Sequence, residues 1–229
     1  KFSVYTKFVL ILTAIYVVGG AVVVALLEWN NPETIGEMGF GAKILNSFFQ
    51  SVTWRTAGFA AVDNGALNEG TKLFGLFWMF SGGASASTAG GVKIATIGVI
   101  MLAAYSVAVG RNEINFMRRR IPFESVMRAL ALVVIQLILT VVSTMICTVA
   151  CGNMDVEGID ILYEIVSAGA TVGLTAGLTP LLPPSALVVI IFMMYFGRVG
   201  ILAVTFSLLG KTAEGGSSIS YPDTNILIG

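Results

Sequence analysis

The chain has 229 residues, 56% hydrophobic and 11% charged, with 13 Lys and Arg balanced by 13 Asp and Glu and no His. An ordinary soluble domain carries about 25% charged residues, so this composition, with a mean hydropathy of +0.88, argues against a soluble protein, and zero net charge offers nothing to a nucleic acid. Without histidine, and with Cys147 and Cys151 as the only thiols at the end of an apolar segment, a metal centre, a redox pair or a covalent cofactor is not expected, and the cysteines read as small core residues.

In chain order, residues 8–27 form the first apolar run, as long as the roughly 20 residues a membrane-spanning helix requires. It exceeds a signal-peptide core and lacks a clear small-residue cleavage pattern, and the sequence begins at Lys rather than Met. The run is therefore read as a span, and the chain as a piece of something longer. An acidic stretch with Glu28, Glu33 and Glu37 follows. Next comes 40–52, which as a helix reaches only about 18 to 20 Å, little more than half the hydrocarbon thickness. It dips in without crossing. Then come Thr53-Trp54-Arg55-Thr56-Ala57-Gly58-Phe59 and a fourth span to be found within 71–109.

The connection from 110 to 129 carries Arg111, Arg118, Arg119, Arg120 and Arg128, and Lys1, Lys7 and Lys211 flank the outer spans. The span 129–150 leads to a second acidic stretch with Asp155, Glu157 and Asp160, a second short segment at 159–170, Thr171-Val172-Gly173-Leu174, and a last span at 186–209. By the positive-inside rule the basic parts are cytoplasmic and both acidic stretches lie outside. The chain thus reads as two same-sense copies of span, acidic linker, short helix, Thr-x-Gly and span, offset by about 115 residues. Inverted repeats, common in secondary transporters, do not fit.

A dehydrated cation needs a cage of oxygens, which backbone carbonyls supply when successive ones face a common axis. Glycine accepts the positive φ such a turn demands, and a short helix ending there aims its negative dipole end at the cation. Thr56, Ala57 and Gly58, with Thr171, Val172 and Gly173, are the candidate filter. Thr175-Ala176-Gly177 is a second candidate in the later half, and Gly169, Gly173 and Gly177 also match a GxxxG-type helix contact, although Thr179-Pro180 and Pro183-Pro184 oppose a continuing helix.

Between the repeats, Ser81-Gly82-Gly83-Ala84-Ser85-Ala86-Ser87-Thr88-Ala89-Gly90-Gly91 interrupts an otherwise long helix. No G-x-x-x-x-G-K-[ST] pattern fits a nucleotide site. The run reads either as small residues for helix packing or as a flexible, polar gate below the filter. Arg198, between Gly197 and Val199 in the last span, costs about 2.5 to 3.5 kcal/mol near mid-bilayer. It either snorkels to an interface or faces a polar path as an electrostatic barrier to cations. Lys93 carries less weight, being assignable to the cytoplasmic end.

These four motifs, in this order over essentially the whole chain, resemble the membrane subunits of Ktr-type potassium-uptake systems in the Trk/Ktr/HKT superfamily. The resemblance implies an all-α membrane protein with four units of span, re-entrant pore helix, filter loop and span around one pseudo-fourfold ion pore in the plasma membrane. Residues 1–120 then correspond to the third unit, with its second span interrupted, and 121–229 to the fourth with its C-terminal tail. The first two units are missing. Gly58 and Gly173 correspond to two of four filter glycines, 81–91 to the intramembrane gating loop, and Arg198 to the charge below the filter. Potassium is the implied substrate, with sodium as a modulator. A homodimer, surrounding membrane lipid and a cytoplasmic nucleotide-binding regulatory ring are the implied partners. Two positions depart from the family pattern, which often has proline where Trp54 and Ala86 stand; neither touches the proposed carbonyl ligands. Trk-type proteins and a coupled secondary transporter of a small solute remain as alternatives, as does a non-conducting assembly subunit. A membrane enzyme lacks any obvious catalytic constellation.

Overall fold

A computed structural model describes residues 2–84, 87, 89–111, 113–117, 119–152 and 154–200. Ser85, Ala86 and Thr88 of the glycine-rich run lie outside the described residues, as do Arg118 and everything after Gly200, including Lys211 and the last part of the 186–209 span. The elements are α1 (Val4–Glu28), α2 (Phe40–Thr53), α3 (Glu69–Phe80), α4 (Ile94–Ala108), β1 (Asn115–Phe116), β2 (Arg119–Arg120), α5 (Phe123–Ala150), α6 (Gly158–Gly169), a 3-10 turn (Thr179–Leu181) and α7 (Pro184–Val199).

Helices α1 and α5, of 25 and 28 residues, are long and apolar enough to cross a membrane. Both are apolar all round, as helices in lipid are. In α1, Phe8, Tyr16, Ala21 and Val24 face inward, while Leu10, Ile15, Val22 and Leu26 are exposed. In α5, Leu137, Val141, Met145 and Val149 are likewise exposed. The span expected within 71–109 is two helices, α3 and α4, of 12 and 15 residues, separated by the irregular segment 81–93. The last span appears as α7, which starts at Pro184, where a missing N–H costs nothing, and is capped by Gly200 at φ +88°.

The short helices α2 and α6 match the expected 40–52 and 159–170 to within a residue at each end. Helix α1 packs on α2, α5 on both α6 and α7, and α3 on α6, which joins the two halves. Their shared core draws Val24, Trp54, Leu76 and Met79 from the first half and Tyr163, Val166 and Val172 from the second. A second core holds Cys147 and Cys151 against Ile161, Ile165 and Met193; both thiols are buried and unbridged.

Polar ties close the acidic end. Lys72 Nζ meets Asp160 Oδ1 at 2.7 Å across the two halves. Glu28, fully buried, accepts from Asn31 Nδ2 at 2.7 Å, Thr34 Oγ1 at 2.7 Å and Asn68 N at 3.0 Å, and from Thr71 Oγ1. Every lone-pair direction has a donor, which is what keeps a buried carboxylate affordable. Glu28 is therefore a structural knot, whereas Glu33 and Glu37 are exposed as expected. At the basic end, the connection is a hairpin rather than a plain loop. Asn115 pairs with Arg120 and Phe116 with Arg119, and the Phe116 ring sits edge-on to Phe8 at 4.8 Å.

Candidate ion-conduction site

Both short helices end just before a Thr-x-Gly tripeptide. Thr56 has φ +70° and Gly58 +77°, while Thr171 has φ +56° and Gly173 +89°. Among the described residues only these two threonines and Met117 are non-glycine positions with positive φ. A β-branched residue there is a true outlier, and such strain costs about 1–3 kcal/mol. It recurs at equivalent places in the repeat. Ala57 and Val172, between the positive-φ residues, are not among the positive-φ positions. Alternation of hand turns successive peptide planes the same way round, an arrangement that can aim several carbonyl oxygens at one ion.

The two turns touch. A Cβ on Gly58 would lie 2.2 Å from the Val172 carbonyl oxygen, so no side chain fits, whereas one on Gly173 would meet only Gly58 Cα at 3.8 Å. Gly177 also has positive φ, at +86°, but a Cβ there meets nothing within 4 Å. Helix α6 ends at Gly169, so Gly173 and Gly177 do not share a helix face with it. Thr175-Ala176-Gly177 instead folds over Glu164, which is 5% exposed. Its Oε1 accepts from Thr175 Oγ1 at 2.5 Å and Ala176 N at 3.0 Å, and its Oε2 from Thr179 Oγ1 at 2.6 Å.

Each turn has a hydroxyl brace. Thr53 Oγ1 donates to the Phe59 carbonyl at 2.6 Å, and Ser167 Oγ to the Leu174 carbonyl at 2.6 Å. Behind the first turn, Trp54 Nε1 donates to Tyr163 Oη at 3.1 Å. Tyr163 Oη donates to Asn64 Oδ1 at 3.1 Å, which also accepts from Gln50 Nε2 at 2.7 Å. Trp54 and Tyr163 are both fully buried. Trp54 is thus more than a tolerated replacement for proline. It ties the halves together, and it packs so closely on α3 that a Cβ at Gly75 would lie 2.8 Å from its ring.

The glycine-rich segment is closed at its base. Tyr16 Oη donates to Ser81 Oγ at 3.0 Å, Ser81 bridges Val92 in parallel, Gly82 N donates to Val92 O at 2.8 Å and Ile94 N to Gly83 O at 3.1 Å. From that base it reaches both turns. Gly83, Ala84, Ser87 and Ala89 line a cavity of about 300 Å³ whose other wall is Val52, Arg55, Thr56 and Ala57. Gly90 N donates to Thr171 Oγ1 at 2.9 Å. A Cβ on Gly90 would be 2.8 Å from the Gly197 carbonyl oxygen, so the segment is wedged between the second turn and α7. The glycines serve close packing, but of a non-helical segment.

Arg198 occupies the last turn of α7 and is exposed in this chain. Its position at a helix C-terminus, where cations are favoured, differs from the expected site deep within a continuous helix. It lines a cavity of about 760 Å³ with Glu164, Ser167, Thr171 and Gly173. Lys93 hydrogen-bonds the Ala89 carbonyl and lies close enough to Arg198 for their charges to repel. It therefore belongs beside Arg198 rather than at a remote cytoplasmic end. Arg55 stands beside Thr56 in the smaller cavity, inside the Thr53–Phe59 motif but with no role expected of it, and no motif marked Glu164.

Residues 2–213 match the TrkH family, described as cation transport protein. The chain is 37% identical over its whole length to the potassium/sodium uptake protein NtpJ of Enterococcus hirae, covering 51% of that protein. It is 38% identical to the Ktr system potassium uptake protein B of Bacillus subtilis, covering 50% of it, and 33% identical to that of Vibrio alginolyticus, covering 48%. The chain thus spans about half the length of these curated relatives. The crystal structure of the potassium transporter TrkH from Vibrio parahaemolyticus superposes with a TM-score of 0.62 at 19% identity, over 86% of this chain and 43% of that one, showing a shared fold. A mostly helical architecture and a family match over residues 2–213 place the chain in the TrkH family of cation transport proteins.

Proposed function

We propose that this chain forms half of a potassium-uptake pore, with the backbone of Thr56 to Gly58 and Thr171 to Gly173 as two of its filter segments. The observation that carries the reading is the pair of equally strained Thr-x-Gly turns that meet where Gly58 faces the Val172 carbonyl. Helices α2 and α6 enter the membrane from outside and return as re-entrant pore helices, an arrangement tolerated where protein or water covers the irregular backbone. Residues 1–120 act as the third span-pore-span unit and 121–229 as the fourth, and two further units complete the ring. Residues 81–91 form the gate, with Arg198 and Lys93 as positive charges beside it. The relatives' names, potassium/sodium uptake and Ktr system potassium uptake, support potassium as the carried ion and sodium as a modulator. The word system in the latter name supports a partner subunit, expected to be a nucleotide-binding regulatory ring; a multi-pass location in the cell membrane and a homodimer are expected as well.

The test uses the full-length protein in cells that lack their own potassium uptake. Rubidium and potassium enter in preference to sodium, and Gly58→Ser weakens that preference. Unchanged relative uptake in correctly inserted Gly58→Ser protein overturns the filter. Shortening 81–91 or making Arg198→Gln raises flux, and equal or lower flux overturns the gate.

A further inference from the structure

Away from the candidate filter, the N-terminal end of α1, the first turns of α4 and the hairpin with the segment leading into α5 enclose a hollow of about 430 Å³, within the size range of ligand pockets. Val4, Phe8, Val99, Phe116 and Ile121 make its wall, and Arg119 and Arg120 stand at it. The hairpin sets the arginines there. Arg119 is the cross-strand partner of Phe116, so both lie on one face of the ladder, and that face is fixed to α1 by the Phe8–Phe116 ring contact at 4.8 Å. Arg120 reaches Glu113 at 3.3 Å on the exposed side. Among the described residues no carboxylate forms an ion pair with Arg119. The positive-inside rule puts this corner at the cytoplasmic surface. An apolar hollow with Arg119 at its rim and a second arginine on the other face of the same hairpin, at that depth, matches one chemistry, an acyl chain joined to a phosphate.

We infer that this hollow is a binding site for an anionic phospholipid of the inner leaflet, its phosphate on Arg119, with Arg120 adding positive charge from the other face of the hairpin, and one acyl chain between α1 and α4. The inference rests on the membrane reading of the chain but not on the filter.

The test is native mass spectrometry of the full-length protein released from nanodiscs of mixed phosphatidylglycerol and phosphatidylcholine. The wild type retains phosphatidylglycerol preferentially. The double variant R119Q/R120Q reduces that retention about thirtyfold, on the scale of two basic residues at a membrane surface. Val99→Phe fills the hollow without changing charge and also reduces retention, while Arg128→Gln, an exposed arginine on α5 away from the hollow, leaves it unchanged. Retention lost equally in Arg128→Gln, or kept in Val99→Phe, means diffuse surface attraction and overturns the site. Displacement of the lipid by millimolar glycerol phosphate means a headgroup-only anion site and overturns it too. Lipid retention that is unchanged in R119Q/R120Q while binding of the regulatory subunit is lost makes the corner a protein contact instead. Ion selectivity stays at the wild-type value in all three variants, so failure here is separable from failure of the filter reading.

Discussion

The two Thr-x-Gly turns share a backbone and differ in nearly everything that holds it. The first is backed by neutral groups, Trp54, Tyr163, Asn64 and Gln50, joined at 2.7 to 3.1 Å, and opens on its gate side into a cavity of about 300 Å³. The second is covered by a carboxylate, Glu164, holding three donors at 2.5 to 3.0 Å, and on its gate side Thr171 is hydrogen-bonded to the glycine-rich segment. One local conformation can therefore rest on either a neutral or a charged scaffold. What the repeat preserves is the strained tripeptide, and what it varies is the means of keeping that tripeptide in place.

The sharpest way to break the comparison is at the glycines. Gly58→Ala adds a methyl 2.2 Å from the Val172 carbonyl oxygen, whereas the methyl of Gly173→Ala lies 3.8 Å from Gly58 Cα. Both carry the roughly 1–2 kcal/mol of left-handed strain, but only the first forces a carbonyl to move. In the full-length protein Gly58→Ala lowers the preference for rubidium over sodium by about thirtyfold or more, and Gly173→Ala by about fivefold. Equal effects in paired uptake measurements remove the asymmetry.

The scaffolds come next. Glu164→Gln sets an amide N–H₂ against existing donors and loses charge-assisted bonds, so thermal unfolding of the purified protein shows a loss of about 2–3 kcal/mol. Tyr163→Phe removes one neutral hydroxyl and leaves the Trp54 N–H without its acceptor, at about 1–2 kcal/mol. A Tyr163 variant as damaging as the Glu164 variant erases the distinction between charged and neutral support.

These residues also mark where the sequence was readable and where it was not. The tripeptides were legible because strain leaves a compositional trace, Gly at a forced positive φ in two copies at matching distances. The short helices were legible from length, and the break at 81–91 from helix-poor residues. Register around Gly173 and Gly177 was open because both glycines have positive φ, and only the approach of Gly58 to Val172 separates them. Glu28 and Glu164 were opaque for a different reason. A carboxylate that marks an outer loop and one that ties three or four donors look alike in sequence, since the donors lie 3 to 43 positions away. The hairpin at 115–120 was hidden by its arginines, which read only as charge. Trp54 appeared as a departure from a family pattern, and its partner Tyr163, 109 positions on, carries no motif of its own.

The smallest expected effect tests the gate side. In Thr171→Val the side chain keeps its volume and loses the oxygen that accepts from Gly90 N at 2.9 Å. A single neutral hydrogen bond is worth about 0.5–1.5 kcal/mol net, and its loss is felt wherever the segment is seated against the turn. Thr56→Val removes a hydroxyl for which no such bond to the segment is seen. The segment is held in place by its wedge against Gly197 and by its closed base as well, so the valine loosens it without releasing it. Rubidium flux through Thr171→Val therefore rises about two- to fivefold at unchanged ion preference, and flux through Thr56→Val stays near the wild type. Equal flux in the two variants means that the bond to Gly90 does not hold the gate. A change of ion preference in Thr171→Val alone means that the hydroxyl serves the filter rather than the gate, and the two turns then differ in selectivity and not in how they are held.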